Sequence, residues 1–181
     1  MPADATVHFE ETQPAWRNRF LLTIIACEAI ILTAILGGFA LKFTGPARVE
    51  IIIAWVVCVV VMPGLILSFR LRTRLTGRQL RAWFPPLPGW KIDFADIAVA
   101  ESKKLSPLGD LGGWGYKLTK KHGHVVNVHG EQFVILTLED GKRRTIGTQR
   151  PEELLTAIRV LAQLPPESGE LSEIESKKAT A

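Results

Sequence analysis

Five arginines within twelve residues, Arg70, Arg72, Arg74, Arg78 and Arg81, form the densest group of chemistry-bearing side chains in this chain. A guanidinium is permanently charged and presents a planar fork of donors that matches phosphate and carboxylate oxygens. The cluster follows directly on an uncharged apolar stretch, so its natural target is an anionic membrane leaflet, where each cation contributes about 1 kcal/mol. The same residues could simply set membrane topology, which accounts for Arg70–Arg74 unaided. Gly112-Gly113-Trp114-Gly115 is a second candidate, a binding loop in which glycines let the backbone approach a ligand phosphate closely. It is not G-x-G-x-x-G and no helix clearly follows, so a bulge or tight sheet corner with Trp114 packed beside it is the favoured expectation.

Other groups carry less. His122, His124 and His129 suggest a metal, but a third ligand at workable spacing is missing, and Lys120-Lys121-His122-Gly123-His124 has the character of a solvated turn. No metal and no cofactor are expected. Asp93, Asp96 and Asp110 fall in loops without an identifiable partner, and the chain has no P-loop, nucleophile elbow, H-E-x-x-H or spaced cysteine cluster. An enzyme is not expected. Trp83, Phe84, Trp90 and Trp114 alternate with cations, yet four aromatics in loops do not make a stacking platform, so nucleic acid is not an expected partner.

The elements that must position these groups start with two apolar runs. Leu21–Leu41 has 21 residues and one charge, Glu28, and Ile51–Phe69 has 19 residues and none. About 20 apolar residues at about 1.5 Å each cross a hydrocarbon core of roughly 30 Å, and backbone amides in lipid must pair internally. Two transmembrane helices joined through Lys42–Glu50, with Gly45-Pro46 at the turn, are therefore expected. A cleaved signal peptide fits less well, because the first run is too long and lacks a convincing cleavage site. Arg17 and Arg19 before the first run and the five arginines after the second outweigh Lys42 and Arg48 between them, which places both termini in the cytoplasm. Cys27 and Cys58 sit at different depths, so packed thiols are expected rather than a disulfide.

Glu28 is the one ionisable group inside an expected span, and a carboxylate there must be protonated, paired or turned to a polar surface. At matching depth on the second run, Pro63 lacks an N–H and frees the carbonyl of Val59. A protonated Glu28 donating to Val59 would clasp the two helices. The competing expectation is that Glu28 faces a partner subunit, a homo-oligomer being one such arrangement, or leans towards the membrane interface.

Beyond Arg70 the pattern becomes short β-type runs. Leu71, Thr73 and Leu75 alternate with the arginines as in a half-buried strand. Phe84–Gly89 is a break, and strands are expected at Ile97–Ala100, Gly115–Thr119, Val125–His129, Gln132–Leu138 and Arg143–Gly147. Asp140-Gly141 is a strong hairpin signal, and His129-Gly130-Glu131 predicts a second hairpin between the strands on either side. Pro151 at a first helical turn, acids behind it and apolar residues at 154, 155, 158, 161 and 162 predict one amphipathic helix, stopped by Pro165-Pro166. The chain thus divides into an N-terminal cytoplasmic segment (1–19), a transmembrane hairpin (20–70), a β-rich domain (71–165) and a polar tail (166–181) expected to be disordered.

With 181 residues and a net charge of +4, the chain has room for one small domain and an appendage, which excludes a multidomain enzyme, and its two cysteines exclude a disulfide scaffold. Residues 70–150 hold fifteen Lys and Arg against seven Asp and Glu, so the basic excess belongs to the β-rich part.

Gly112-Gly113-Trp114-Gly115, the turn Asp140-Gly141-Lys142, and Ile146-Gly147-Thr148-Gln149-Arg150-Pro151-Glu152-Glu153-Leu154 resemble bacterial PH-like domains. They are similar in particular to small bacterial membrane proteins with two helices ahead of such a domain. The resemblance spans residues 20–162 and implies a PH-like fold, a strongly bent antiparallel sheet with the C-terminal helix plugging one end. No basic lipid-binding motif of PH relatives matches residue by residue, so lipid recognition does not follow from the resemblance. The expectation is a multi-pass protein of the bacterial inner membrane, a tethered scaffold whose partners are the bilayer, anionic headgroups or a protein. The alternative is an accessory subunit of a membrane enzyme or transporter acting through the hairpin.

Overall fold

The computed structural model describes residues 6–85 and 87–165, and the expected tail 166–181 lies outside them. Two compact units make up the chain: Gln13–Arg70, and Met1–Thr12 together with Leu71–Ala181.

The first unit is a helical hairpin of α1 (Arg19–Lys42) and α2 (Pro46–Ser68), both long and apolar enough to cross a membrane. Asn18 caps α1, its side-chain oxygen accepting from the Leu21 N–H at 3.0 Å. The connection is only residues 43–45, shorter than the expected Lys42–Glu50. Charged Arg48 and Glu50 end an apolar run but do not end a helix, and Pro46 at the first helical position suits helix initiation just after Gly45 turns at φ +65°. The Ala15 N–H bonds the Phe69 carbonyl at 2.9 Å, so the chain starts α1 beside the point where it leaves α2. Within α2, Val57–Val61 is a π turn in which the Met62 N–H reaches back to the Val57 carbonyl. Widening immediately before Pro63 is where a missing N–H would break the regular ladder.

The second unit contains two sheets. The first has the order β1 (Val7–Pro14), β2 (Arg70–Thr76), β3 (Gln79–Phe84), β4 (Leu87–Asp93). The second has the order β5 (Ile97–Lys104), β8 (Gln132–Leu138), β9 (Arg143–Gly147), β7 (Gly123–Asn127), β6 (Gly115–Thr119). Helix α3 (Pro151–Ala162) buries Leu154, Leu155 and Ile158 and packs on β5 and β8. Each such side chain removed from water stabilises the unit by about 1.5–3 kcal/mol. Gln163 ends the helix in the left-handed conformation at φ 54°.

Three expectations are corrected. Residues within the N-terminal segment 1–19 form a sheet strand, β1, with Phe9, Glu11 and Gln13 buried in alternation. Two polar residues on the inward face concealed this strand from a hydrophobic pattern. The break at Phe84–Gly89 is narrower than expected: β3 runs to Phe84 and strand β4 begins at Leu87. Finally, β7 and β8 are not a hairpin: β9 lies between them and pairs parallel with β7, His124 opposite Arg144 and Val126 opposite Ile146. Val125, Val126 and Asn127 are buried, as suits an interior strand, so the second sheet is mixed rather than wholly antiparallel.

Candidate functional site

The arginine cluster lies on the first sheet. On β2, Leu71, Thr73 and Leu75 are buried while Arg72 is exposed and Arg74 half-buried. On β3, Leu80, Ala82 and Phe84 point inward and Arg81 outward. The strand period of two, repeated on adjacent strands, makes one face the core and the other a row of cations. Register decides which cations meet. Arg74 is opposite Arg81, Arg81 is opposite Lys91 on β4, and Arg72 is opposite Trp83. Directly opposed side chains have Cβ atoms about 4.5–5.5 Å apart, so three positive charges cross three strands in line. Arg78 sits in the β2–β3 turn, exposed, and Arg70 is the first, exposed residue of β2.

Arg74, Arg81 and Lys91, with Trp83, Gly89 and Trp90, line a surface groove of about 440 Å³. The ladder slips between Ala82 and Phe84, and at this irregularity Gly89 lies hard against β3. A Cβ at Gly89 would be 2.3 Å from the Trp83 Cβ and 2.5 Å from the Ala82 carbonyl oxygen, so only glycine fits. Among the described residues none of these three cations has a carboxylate partner; the salt bridges are Lys104–Glu131, Lys142–Asp140 and Arg150–Glu153. Asp93, the nearest acid along β4, is paired with Gln79 in the ladder instead. The buried Arg74 Nε and Trp90 Nε1 donors also lack a hydrogen-bond acceptor.

A second basic groove, of about 530 Å³, lies between the β6–β7 and β8–β9 turns and includes Lys120, Lys121, His124, Lys142, Arg143 and Arg144. Three of its five cations bond to the protein. Lys142 Nζ bonds Asp140 at 2.6 Å, Arg143 donates to the Lys121 carbonyl at 3.0 Å, and Arg144 to the Arg143 carbonyl at 3.3 Å. The Lys142 bonds hold the Asp140 carboxyl below its ordinary range. His124 Nδ1 is 2.9 Å from the Tyr116 hydroxyl, and burial followed by the Arg144 charge lowers its pKa.

Gly112-Gly113-Trp114-Gly115 closes the loop ahead of β6, and Gly112, Gly113 and Gly115 all have positive φ. Its polar groups face inward to the loop: the Gly112 carbonyl accepts from Lys117 Nζ, and the Gly113 N–H bonds the Pro107 carbonyl at 2.6 Å. Asp110 holds the same loop, its carboxylate accepting from the Ser106 N–H at 2.8 Å. Leu105 and Leu111 anchor it in a core cluster with Val125, Phe133 and Ile135.

Of the expected solvated turn, Lys120 and Lys121 are exposed or nearly so, but His122 is buried, 2% exposed, and burial and then Lys121 lower its pKa. No group of three metal-capable side chains occurs among the described residues. Glu28 is exposed on α1, beside Thr23, Cys27 and Ile31, and makes no bond to Val59. The polar link between the helices is Trp55 Nε1 donating to Thr33 Oγ1 at 2.9 Å. Cys27 and Cys58 are free thiols.

The Ile146–Leu154 segment has a role that pattern alone could not reveal. Thr148 Oγ1 donates to Glu11 Oε2 at 2.6 Å, and the Gln149 N–H donates to Glu11 Oε1 at 2.9 Å. Arg150 lies over the Phe9 ring at 4.5 Å and donates to the Glu10 carbonyl. The motif ahead of α3 thus fastens strand β1 from the far end of the sequence. No protein-family model, curated protein or solved structure matches the chain.

Proposed function

We propose that this is an integral protein of the bacterial cytoplasmic membrane, with both termini inside, whose β-rich domain is a PH-like binding module tethered at the leaflet. The observation that carries the membrane reading is the hairpin surface: none of the apolar window of α1 and only 6% of that of α2 is buried within the protein. Ile24, Ile30, Ile31, Ile35, Val60, Val61 and Leu65 are all exposed. A soluble core helix would be covered by its own fold, and an apolar surface this continuous needs lipid or another protein. The two sheets and the terminal amphipathic helix support the PH-like reading, and the parallel β7–β9 pair is a departure from an all-antiparallel sheet. The basic outer face of β2–β4 supports a binding role at an anionic surface.

Carbonate washing of membranes that carry the full chain tests the proposal. Retention in the pellet is expected; recovery in the supernatant would overturn it. A second reading, an accessory subunit acting through the hairpin, is favoured by exposed Glu28, which must find a polar partner if α1 is in lipid. Cross-linking from position 28 to a different membrane protein, with the β-rich domain dispensable for capture, would select it.

A further inference from the structure

The outer face of β2–β4 carries an arrangement that a topology signal does not require. Arginines that only hold a hairpin in place need to be near the membrane end of the chain, in any order. Here Lys91, outside that cluster in sequence, is brought by register into line with Arg81 and Arg74. Like charges placed directly opposite one another destabilise a sheet, and no carboxylate among the described residues relieves them. Trp83 stands on the same outer face, opposite Arg72, and Gly89 is confined to glycine by the close approach of β3 at the same place. The buried Arg74 Nε donor has no hydrogen-bond acceptor. A buried guanidinium nitrogen without an acceptor is uncommon, and Arg74 lines the groove where three cations converge.

We propose that this groove binds a phosphate group, with Arg74, Arg81 and Lys91 neutralising its charge and the Trp83 ring covering the organic part of its carrier. The proposal rests on the reading of the β-rich domain as a binding module and gives that module its ligand chemistry. A carboxylate has two oxygens and one charge, too few for three cations. A phosphate monoester has three terminal oxygens and close to two charges, and two guanidinium forks can each take a pair of its oxygens. The groove, 440 Å³, has room for a phosphorylated headgroup or a small free phosphate ester. The second basic groove differs, since three of its five cations, Lys142, Arg143 and Arg144, already bond to the protein.

The test is calorimetric titration of the full chain in non-ionic detergent with three probes: dihexanoyl phosphatidic acid, dihexanoyl phosphatidylcholine and inorganic pyrophosphate. Saturable binding of phosphatidic acid alone assigns a lipid headgroup, and equal binding of pyrophosphate assigns a free phosphate; either supports the site. Arg81→Gln should weaken that binding about tenfold or more, the loss of a charge-assisted contact, while Lys120→Gln in the other groove leaves it unchanged. Without ligand, Arg81→Gln should melt no lower than the wild type, because it removes a repulsion; a merely structural arginine would lower the melting temperature. Failure of both anions to saturate, phosphatidylcholine binding as well as phosphatidic acid, or equal weakening by Arg81→Gln and Lys120→Gln would overturn the proposal. Detergent replaces the bilayer here, so these outcomes are independent of the carbonate result.

Discussion

Glu11 offers the sharpest test of how the β-rich unit is held together. Its carboxylate is buried, 9% exposed, and accepts from Thr148 Oγ1 at 2.6 Å and the Gln149 N–H at 2.9 Å. Hydrogen bonds to a charged group are worth about 1.5–3 kcal/mol each, and losing an acceptor leaves buried donors to be desolvated for nothing. Thr148 is itself fully buried, so water cannot easily replace the carboxylate. Glu11→Ala should therefore lower the stability of the unit by about 3 kcal/mol, within a range of about 2–4 kcal/mol. Glu11→Gln should be milder, about 1 kcal/mol, since the amide oxygen still accepts from Gln149 and the amide N–H₂ can donate to Thr148 Oγ1. Urea titration of the full chain in detergent, followed by tryptophan fluorescence, measures both. A double-mutant cycle with Thr148→Val isolates the pair, and a coupling of at least about 1 kcal/mol is expected. A cycle that adds within about 0.5 kcal/mol, with Glu11→Ala near wild type, would refute the claim that β1 is fastened from the segment ahead of α3.

Three further outcomes are expected. Gly89→Ala should destabilise the first sheet by about 1–3 kcal/mol through overpacking against Trp83, visible as a lower urea midpoint with a changed near-ultraviolet signal. His122 makes the domain acid-sensitive. Burial, then the charge of Lys121, keeps its imidazole pKa below 6.5, so between the two values the unfolded chain binds more protons than the folded one. Stability should be complete above about pH 6.5 and fall as pH drops through the window below it, by at most about 1.4 kcal/mol per pH unit for this residue. His122→Gln should flatten the decline without abolishing it, because His124 shifts in the same direction, and melting temperatures across that range will show it. In the hairpin, Trp55→Phe should weaken helix association by about 0.6 kcal/mol, whereas Glu28→Leu should leave it intact; the reverse order in a folding assay in bicelles would restore the Glu28–Val59 clasp.

The parts of this protein legible without coordinates are those dictated by local pattern. Two runs of apolar residues define α1 and α2 because their period and length are properties of contiguous sequence. The face of β2 follows in the same way from alternation, and α3 from the spacing of Leu154, Leu155 and Ile158 behind Pro151. Partnership between distant segments is not written locally. Strand β1 hid because its inward positions 11 and 13 are polar, and Glu11 makes sense only beside Thr148, 137 positions away. The insertion of β9 between β8 and β7 could not be inferred either, since a hairpin signal such as Gly130 specifies a turn and not the neighbour across the sheet. For the candidate site, sequence named Arg74 and Arg81 as part of a cluster. Only the register across three strands added Lys91, separated them from Arg78 at the turn and placed Trp83 beside them. Charge type and periodicity are carried by residues one at a time or a turn at a time, whereas the convergence of charges depends on backbone hydrogen bonds between strands, which exist only once the chain has folded.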